Sequence, residues 1–406
     1  MPRTYIQPLG PVGDLRLQTV FQPILDLRDG SVVGYEALAR GPQDSAFEAP
    51  VDLFAAARAE DRVTDLDLAC LRAALGGADA HGLAAPLSLF LNAEPSTLDS
   101  TELRDASAGH GLVVEVTEQA LTAQPEALLR SLNGLRTRGW GVAIDDVGAD
   151  SRSLALMSLL YPDVIKLDMR LMQLRSDAEI ATIVTAVGME SERSRAIVLA
   201  EGIDSEEQLA IARAWGATLG QGYLLGSPGP LPAEDPLARA LPLHGSGGDP
   251  WGSTPYARVT NWKRPQRGPR ALAEMVAVQL ERQAASLGDT AMVLAGFPDE
   301  GHAGAAVVDR YRALAQQLAF VGVVGGGAGI DADAGIRGGP LAPDDALRGT
   351  WTVVALGPYL NAAFVARADE DGTGDYRFSV SYDRETVTEC ALMLMARMEP
   401  LHPRFA

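Results

Sequence analysis

The first 225 residues alternate short apolar runs rich in β-branched residues with longer segments in which apolar residues recur at helical spacing. Runs of the first kind predict β-strands, and segments of the second kind predict amphipathic helices. The predicted strands are residues 19–25, 31–35, 87–91, 111–116, 141–144, 163–167, 196–200 and 218–219. The predicted helices are residues 51–60, 64–76, 125–137, 177–190 and 205–215. Repeated strand–helix alternation over this length predicts a parallel sheet, either open or closed into a barrel.

A proline- and glycine-rich stretch separates this pattern from a second one. Residues 226–270 contain nine of the 25 prolines and end in KRPQRGPR, which is typical of an interdomain linker. Beyond it, helices are predicted at residues 271–285 and 383–398, and strands at residues 291–295, 320–324, 350–355, 362–366 and 376–382. The predicted organisation is a first domain at residues 1–232 with its core at 15–232, a linker at 233–269, and a smaller α/β domain at 270–406.

The composition is that of a globular protein, with 47% apolar and 21% charged residues. No run approaches the ~18 consecutive apolar residues that a membrane span needs. Residues 1–13 lack the apolar core and cleavage site of a secretory signal, so we expect a cytoplasmic protein. Cys70 and Cys390 lie far apart without a CxxC partner, which favours two reduced thiols over a disulfide or a zinc site.

The formal net charge of −19 argues against a nucleic-acid duplex as partner, because such a partner needs a basic surface to neutralise its phosphates. An acidic protein can still bind a small phosphorylated ligand when bound cations supply positive charge locally. A phosphorylated ligand would therefore bind this acidic chain at a site that holds metal ions.

Polar residues end the predicted strands of the first domain one after another. In chain order they are Glu36, Asn92, Glu115, the pair Asp145 and Asp146, Lys166, Glu201 and Gln221. A single polar residue at a strand end usually caps a helix, but seven consecutive ones are hard to explain in this way. In a closed barrel these ends would meet at the C-terminal face, where active sites of that fold lie.

Five carboxylates at one face would repel one another strongly unless cations neutralise them. Carboxylate and amide oxygens favour Mg²⁺ or Mn²⁺ over zinc. The adjacent carboxylates of Asp145 and Asp146 suit two ions, and two ions ~3.5–4 Å apart are the usual clamp for in-line attack of water on a phosphodiester. Lys166 would add positive charge where the transition state accumulates negative charge.

These motifs resemble a known family. YEALAR at residues 35–40 is similar to the signature of the EAL-domain phosphodiesterases. The remaining motifs follow in order: LFLNAEP resembles NxxP, EVTE resembles ExTE, AIDDVG resembles DDFG, VIKLD resembles IKxD, LAEGID resembles AEGxE, and LGQGYLLGSP resembles GxQGYxxxxP. The resemblance spans roughly residues 15–232 and implies a TIM-type (β/α)₈ barrel with an atypical first strand. It also implies hydrolysis of the cyclic dinucleotide c-di-GMP to linear pGpG.

Residue by residue, the resemblance implies roles for the strand-end side chains. The metal ligands would be Glu36, Asn92, Glu115, Asp145, Asp146 and Gln221. The catalytic residues would be Lys166 near the nucleophilic water, Glu201 as a base that completes the site, and Glu36. The phosphate and guanine of the substrate would be held by Gln22, Arg40 and Asp168. The implied cofactors are two Mg²⁺ or Mn²⁺ ions, and the implied assembly is a homodimer.

One loop departs from the family pattern, because DDVGADSRSL stands at residues 145–154 where the family has DDFGTGYSSL. Val147 replaces Phe, and Asp150 replaces the second glycine. The resemblance implies that this loop carries the aspartate of the second metal site and is anchored by Glu118. Asp150 and Arg152 would either hold the loop through new polar contacts or leave it displaced. The first outcome predicts an enzyme, and the second predicts a receptor that binds c-di-GMP without turnover.

The segments FVGVVGGG, GTWTVVALGPYLNAAFVARADE and YRFSVSYDRETV of the second domain resemble the DICT sensory domain. This resemblance implies that the domain senses a signal or contacts a protein partner, and so regulates the first domain. The alternative is an accessory dimerisation or packing domain. Trp351, Tyr359 and Phe364 would line a sensory pocket in the first case and the core in the second.

Overall fold

In the computed structural model, the first half of the chain forms a closed eight-stranded barrel. The structure describes residues 12, 15–105, 111–170, 174–232, 238–243, 253–299, 302, 304–326, 334–371 and 373–399. Its strands are β1 Gln18–Asp26, β2 Val32–Arg40, β3 Ser88–Asn92, β4 Gly111–Thr117, β5 Gly141–Val147, β6 Val164–Asp168, β7 Ile197–Glu201 and β8 Leu219–Gly220. β1 runs antiparallel to both β2 and β8, and the other neighbouring strands are parallel. The predicted TIM-type barrel with an atypical first strand is confirmed.

Helices surround the barrel at α1 Pro50–Ala59, α2 Val63–Ala80, α3 Thr101–Asp105, α4 Glu118–Ala123, α5 Pro125–Arg136, α6 Ser153–Leu160, α7 Asp177–Ser194 and α8 Glu206–Ala214. Local signals explain several starts. Proline occupies the first turn of α1 and α5, and Ser176 forms a capping box with Glu179 at the start of α7. The five predicted helices are present, and α3, α4 and α6 were not predicted.

Apolar side chains fill the inside of the barrel below its mouth. They come from successive strands and include Ile24, Val33, Phe90, Val113, Ala143, Val164, Leu199 and Leu219. Leu241, from the segment that follows the barrel, packs into the same cluster, and the Arg239 amide donates to the Val32 carbonyl oxygen at the start of β2. The segment therefore crosses the end of the barrel opposite the predicted site.

A mixed seven-stranded sheet forms the second domain, in the order β12-β11-β10-β13-β14-β15-β9. Its strands are β9 Gln266–Pro269, β10 Met292–Phe297, β11 Phe320–Gly325, β12 Ile336–Gly339, β13 Thr350–Gly357, β14 Leu360–Ala368 and β15 Asp375–Ser381. Its helices are α9 Pro255–Thr260, α10 Arg270–Ala285, α11 Ala305–Ala315 and α12 Arg384–Met395. The predicted strands and both predicted helices are present, while β9, β12, α9 and α11 were not predicted.

Two elements lie within the segment that was predicted as a linker, residues 233–269. Within it, α9 packs against α12, and β9 pairs with β15 at the edge of the sheet. Arg267 of β9 lies 2.5 Å from an oxygen of Asp371, in the acidic loop after β14, and 3.0 Å from an oxygen of Asp375, the first residue of β15. The basic run thus belongs to the second domain, because that loop supplies partners for its arginine.

The two faces of this sheet pack against different layers. Alternate residues of β10 belong to different clusters: Val293 joins α10 and α11, whereas Leu294 joins α12 and the outer helices of the barrel. One hydrophobic core is therefore shared between the barrel helices and the second domain. None of the helices in the described ranges combines the length and hydropathy that crossing a membrane requires.

Candidate active site

Four carboxylates surround one buried lysine at the mouth of the barrel. Lys166 Nζ lies 2.7 Å from Glu115, 3.1 Å from Asp145, 2.5 Å from Glu201 and 3.7 Å from Glu36. These residues come from five different strands, and Lys166 has no exposed surface. The convergence predicted from the strand ends is therefore present. The full sequence holds two lysines, Lys166 and Lys263, and one of them lies here.

Two amide side chains hold Glu36 in this cluster. Asn92 donates to Oε1 of Glu36 at 2.9 Å, and Gln221 donates to Oε2 at 2.8 Å. The Gln221 amide also donates to Gln22 Oε1 at 3.1 Å, and the Gln22 amide donates to the Gly226 carbonyl oxygen at 3.0 Å. The orientation of Glu36 is thus fixed by hydrogen bonds from β3 and from the segment after β8.

A β-bulge places Asp145 and Asp146 on the same side of the site. The register between β5 and β6 breaks between Ile144 and Val147, so that both aspartates lie opposite Lys166. Asp146 has a φ of 59°, a left-handed conformation that Asp tolerates better than most residues. In a regular strand consecutive side chains point to opposite faces, and a bulge re-aims one of them. As a result, Asp145, Asp146 and Glu201 bring ligand atoms within 4.8 Å of one another.

Burial and mutual repulsion set the protonation of this cluster. Burial raises the pKa values of Glu115 and Glu201 well above the usual range, with nearby carboxylates adding to the effect. Burial and the adjacent aspartate raise the pKa of Asp146 to about 6. Burial opposes ionisation of Glu36, but the neighbouring ammonium and the two amides outweigh it and lower its pKa. Burial likewise opposes charge on Lys166, yet the surrounding carboxylates raise its pKa well above the usual value.

The donor set fits hard divalent cations. Both oxygens of Glu115, Oε1 of Glu201 and Oε1 of Gln221 are buried without a hydrogen-bond partner. Lys166 Nζ approaches its carboxylates closely, but none of these contacts has hydrogen-bond geometry. Buried oxygens without donors are satisfied by cations, and carboxylate and amide oxygens are the ligands that Mg²⁺ and Mn²⁺ take.

The loop that departs from the family pattern is held in place from the barrel side. Glu118 accepts hydrogen bonds from the Gly148 amide at 3.4 Å, from the Asp150 amide at 2.7 Å and from the Ser153 hydroxyl. The Asp150 side chain pairs with Arg152 at 2.7 Å. The new polar contacts expected of Asp150 and Arg152 are thus present in this loop. Burial raises the pKa of Glu118.

The predicted substrate residues lie on the rim of the mouth. Arg40 is the last residue of β2 and donates to the Ala39 carbonyl oxygen at 2.8 Å. Asp168 is the last residue of β6 and accepts from the Arg170 amide at 2.6 Å. A cavity of about 710 Å³ opens at this mouth, and neither Arg40 nor Asp168 is among its lining residues. Metal-ligand candidates line it, together with residues of α1 and α2.

Two cavity-lining residues of α2, Asp67 and Cys70, were not predicted to lie at the site. Asp67 is buried, accepts hydrogen bonds from the Glu94 amide at 3.0 Å and the Thr97 hydroxyl, and has its pKa raised to about 6 by burial. Burial raises the pKa of the Cys70 thiol to about 12, and both cysteines are free thiols. Asp67 could have been found from the sequence, because it is an acidic residue among the apolar positions of an amphipathic helix.

Comparisons with known proteins point to one family. The EAL domain model matches residues 13–228, just over half of the chain. The cyclic di-GMP phosphodiesterase NbdA of Pseudomonas aeruginosa is 32% identical, over 56% of this chain and 31% of its own length. The chain covers between 28% and 31% of the first three curated relatives.

Two solved structures are similar to just over half of this chain. The manganese/cy-diGMP complex of Klebsiella pneumoniae BlrP1 is 30% identical with a TM-score of 0.45, covering 56% of this chain and 59% of that chain. Bacillus subtilis YkuI, in complex with substrate c-di-GMP and calcium, is 25% identical with a TM-score of 0.45, covering 55% of this chain and 57% of that chain. The likeness of residues 270–406 to DICT sensory domains stays a prediction.

Proposed function

Because the chain belongs to the EAL-domain family, we propose that it hydrolyses c-di-GMP to linear pGpG with two Mg²⁺ or Mn²⁺ ions at the mouth of the barrel. The observation that carries this proposal is the bulge in β5, which brings Asp145 and Asp146 together with Glu201. Two adjacent carboxylates on one side of a site suit two ions, and two ions clamp a phosphodiester for in-line attack.

In the proposed reaction the side chains at the mouth of the barrel have different roles. The cation ligands are Glu36, Asn92, Glu115, Asp145, Asp146 and Gln221. Bound cations would lower the pKa of the attacking water and neutralise charge on the phosphate. Lys166 adds positive charge beside the reacting phosphate, and Glu36 is held in place by its two amide donors.

The proton of the attacking water passes to Glu201. The water oxygen forms a bond to phosphorus while the bond from phosphorus to the 3′ oxygen breaks, and the leaving 3′ oxygen takes up a proton from solvent, to which Glu201 returns the proton it accepted. Glu201 lies among the candidate metal ligands, with a carboxylate oxygen 2.5 Å from Lys166 Nζ, so it is placed to accept that proton.

Substrate recognition is assigned to the rim. Arg40 would pair with a phosphate, and Gln22 and Asp168 would hydrogen-bond the guanine edge. A guanidinium matches phosphate geometry, whereas carboxylate and amide oxygens accept from the N–H groups of guanine. We also expect a homodimer, which analytical ultracentrifugation tests.

The second candidate function is a receptor that binds c-di-GMP without turnover and signals through the second domain or a protein partner. The replacement of a family glycine by Asp150 in the loop after Asp146 favours it. In the first candidate, the second domain instead regulates hydrolysis. The hydrogen bonds from the loop to Glu118 support the first.

Incubation of the purified chain with c-di-GMP and Mg²⁺ or Mn²⁺, followed by chromatography for pGpG, separates the two candidates. We expect pGpG from the unaltered chain and no pGpG from Glu36→Ala. Glu370→Ala is the matched control, since it removes an exposed carboxylate of the second domain. Tight binding without product under either ion would contradict hydrolysis and leave the receptor.

A further inference from the structure

Helix α6 is enclosed on every side. All eight residues of Ser153–Leu160 are buried. The helix packs against α4, α5 and α7 of the barrel, and against β13, α12 and the 3-10 helix Gly288–Thr290 of the second domain. A helix on the outside of a barrel normally keeps a polar face toward water. The sequence of α6 is therefore suited to a position between two domains.

Polar contacts join the two domains beside α6. Ser151, two residues before the helix, donates to Asp289 Oδ2 of the second domain at 2.7 Å. Glu190 of α7 is fully buried and lies 3.6 Å from Arg384 at the start of α12. Arg384 is fixed in turn by a hydrogen bond to Asn361 Oδ1 at 2.7 Å. The second domain thus holds both the loop before α6 and the helix packed beside it.

The loop of residues 147–152 joins the candidate metal ligand Asp146 to the start of α6. Glu118 holds the loop from the barrel, and Asp289 holds it from the second domain. Packed interiors transmit displacements because they leave few voids to absorb them. A shift of α6 would therefore move the loop, and with it the carboxylate of Asp146.

We propose that the second domain positions Asp146 by holding Ser151 and α6, and that it regulates the barrel through binding of the second cation. The proposal rests on the proposed function, in which Asp146 is a metal ligand. Asp289 and Arg384 are positioning residues, and neither lines the cavity. Loosening their contacts lowers kcat through weaker cation binding. At saturating Mn²⁺ the KM for c-di-GMP stays unchanged, because the candidate recognition residues lie on β1, β2 and β6.

The test compares Asp289→Ala with Asp309→Ala in the full chain. Asp309 is an exposed aspartate of the second domain that pairs with Arg312 of its own helix at 3.2 Å, so it is the matched control. Calorimetry with Mn²⁺ alone measures cation binding, and turnover is measured over a Mn²⁺ series. We expect Asp289→Ala to weaken the weaker Mn²⁺ site by roughly 2- to 10-fold, the effect of one hydrogen bond. We expect Asp309→Ala to match the unaltered chain.

The same substitution should lower kcat at limiting Mn²⁺ and restore it at saturating Mn²⁺, a recovery that general destabilisation would not give. Ser151→Ala removes the same hydrogen bond from the barrel side, so the double variant should bind Mn²⁺ no more weakly than either single variant. Arg384→Met, which leaves Glu190 paired with Arg193, should act in the same direction.

Unaltered Mn²⁺ binding in Asp289→Ala and Ser151→Ala would overturn the positioning role, whether or not the chain hydrolyses c-di-GMP. Weakened Mn²⁺ binding in both variants, together with no pGpG from the unaltered chain, would support the positioning role and contradict the proposed hydrolysis. The positioning role and the proposed hydrolysis can therefore be contradicted independently.

Discussion

Replacing Lys166 by Met removes the ammonium group that four carboxylates surround, while keeping a side chain of similar length. At an effective dielectric constant near 20, two unit charges ~3 Å apart attract by roughly 5 kcal/mol. Three carboxylates lie between 2.5 and 3.1 Å from Lys166 Nζ. The cost of burying the charges offsets most of this attraction, so removing one partner of such a cluster costs about 3–5 kcal/mol.

The sign of the pH dependence follows from the pKa shifts. The raised pKa of Lys166 means that its contribution is fully present at neutral pH and is lost only above its ordinary value near 10.5. In Lys166→Met the carboxylates lose their cation, so the pKa values of Glu115 and Glu201 rise further. The free energy of unfolding of the variant is therefore lowest at the pH values at which these groups must ionise. It rises again as pH falls and the groups take up protons. The difference from the unaltered chain should grow from acidic to neutral pH.

Thermal unfolding with a chelator and with Mn²⁺ measures this prediction. With chelator at neutral pH we expect a loss of roughly 6–20 °C in Tm for a barrel of this size. Mn²⁺ at about 100 times its Kd should return ~2.7 kcal/mol. Lys263→Met is the matched control: Lys263 donates to the Val380 carbonyl oxygen, and losing that bond costs about 1 kcal/mol. Equal Tm values for Lys166→Met and the unaltered chain in chelator would refute the electrostatic reasoning.

Three further outcomes are expected. Glu118→Gln, which weakens the charge-assisted hydrogen bonds to Gly148 and Asp150, should lower kcat by roughly 10- to 100-fold with KM little changed, as steady-state kinetics would show. Asp67→Asn should stabilise the chain by up to ~3 kcal/mol above pH 6 and little near pH 4 in urea unfolding, because the raised carboxyl pKa makes stability fall as pH rises through about 6. Mn²⁺ affinity measured by calorimetry should drop as pH falls through about 6, where Asp146 takes up a proton.

Short apolar runs predicted the barrel strands because most of these strands are buried on both faces, and helical periodicity predicted most of the helices because each has one buried face. Helix α6 escaped prediction for the opposite reason: every residue of Ser153–Leu160 is buried, so no apolar stripe alternates with a polar one. Strand β9 escaped because a basic, proline-containing stretch is typical of a linker, and its pairing with β15 depends on the distant acidic loop. Burial by another domain and pairing with a distant segment leave no local period to detect.

More of the candidate site than of the surrounding fold could be predicted from the sequence, since each strand-end side chain reaches the mouth as expected. Two features lay beyond the residue pattern. The sequence contains the pair Asp145 and Asp146, but the bulge that turns both toward Lys166 depends on a break in the register between β5 and β6. The pairing of Glu190 with Arg384 joins residues of different domains, and no spacing along the chain indicates it.

The presence of metal ligands and their placement are therefore separate properties of this chain. Asp146 has the left-handed conformation that the bulge requires, a conformation that persists only where the surroundings fix it. Glu118 fixes the following loop from the barrel, and the burial of α6 beneath the second domain fixes it from the other side. A relative could keep every ligand residue and still lose catalysis if either support were lost. The contacts of residues 147–160 should thus predict activity better than the ligand set alone.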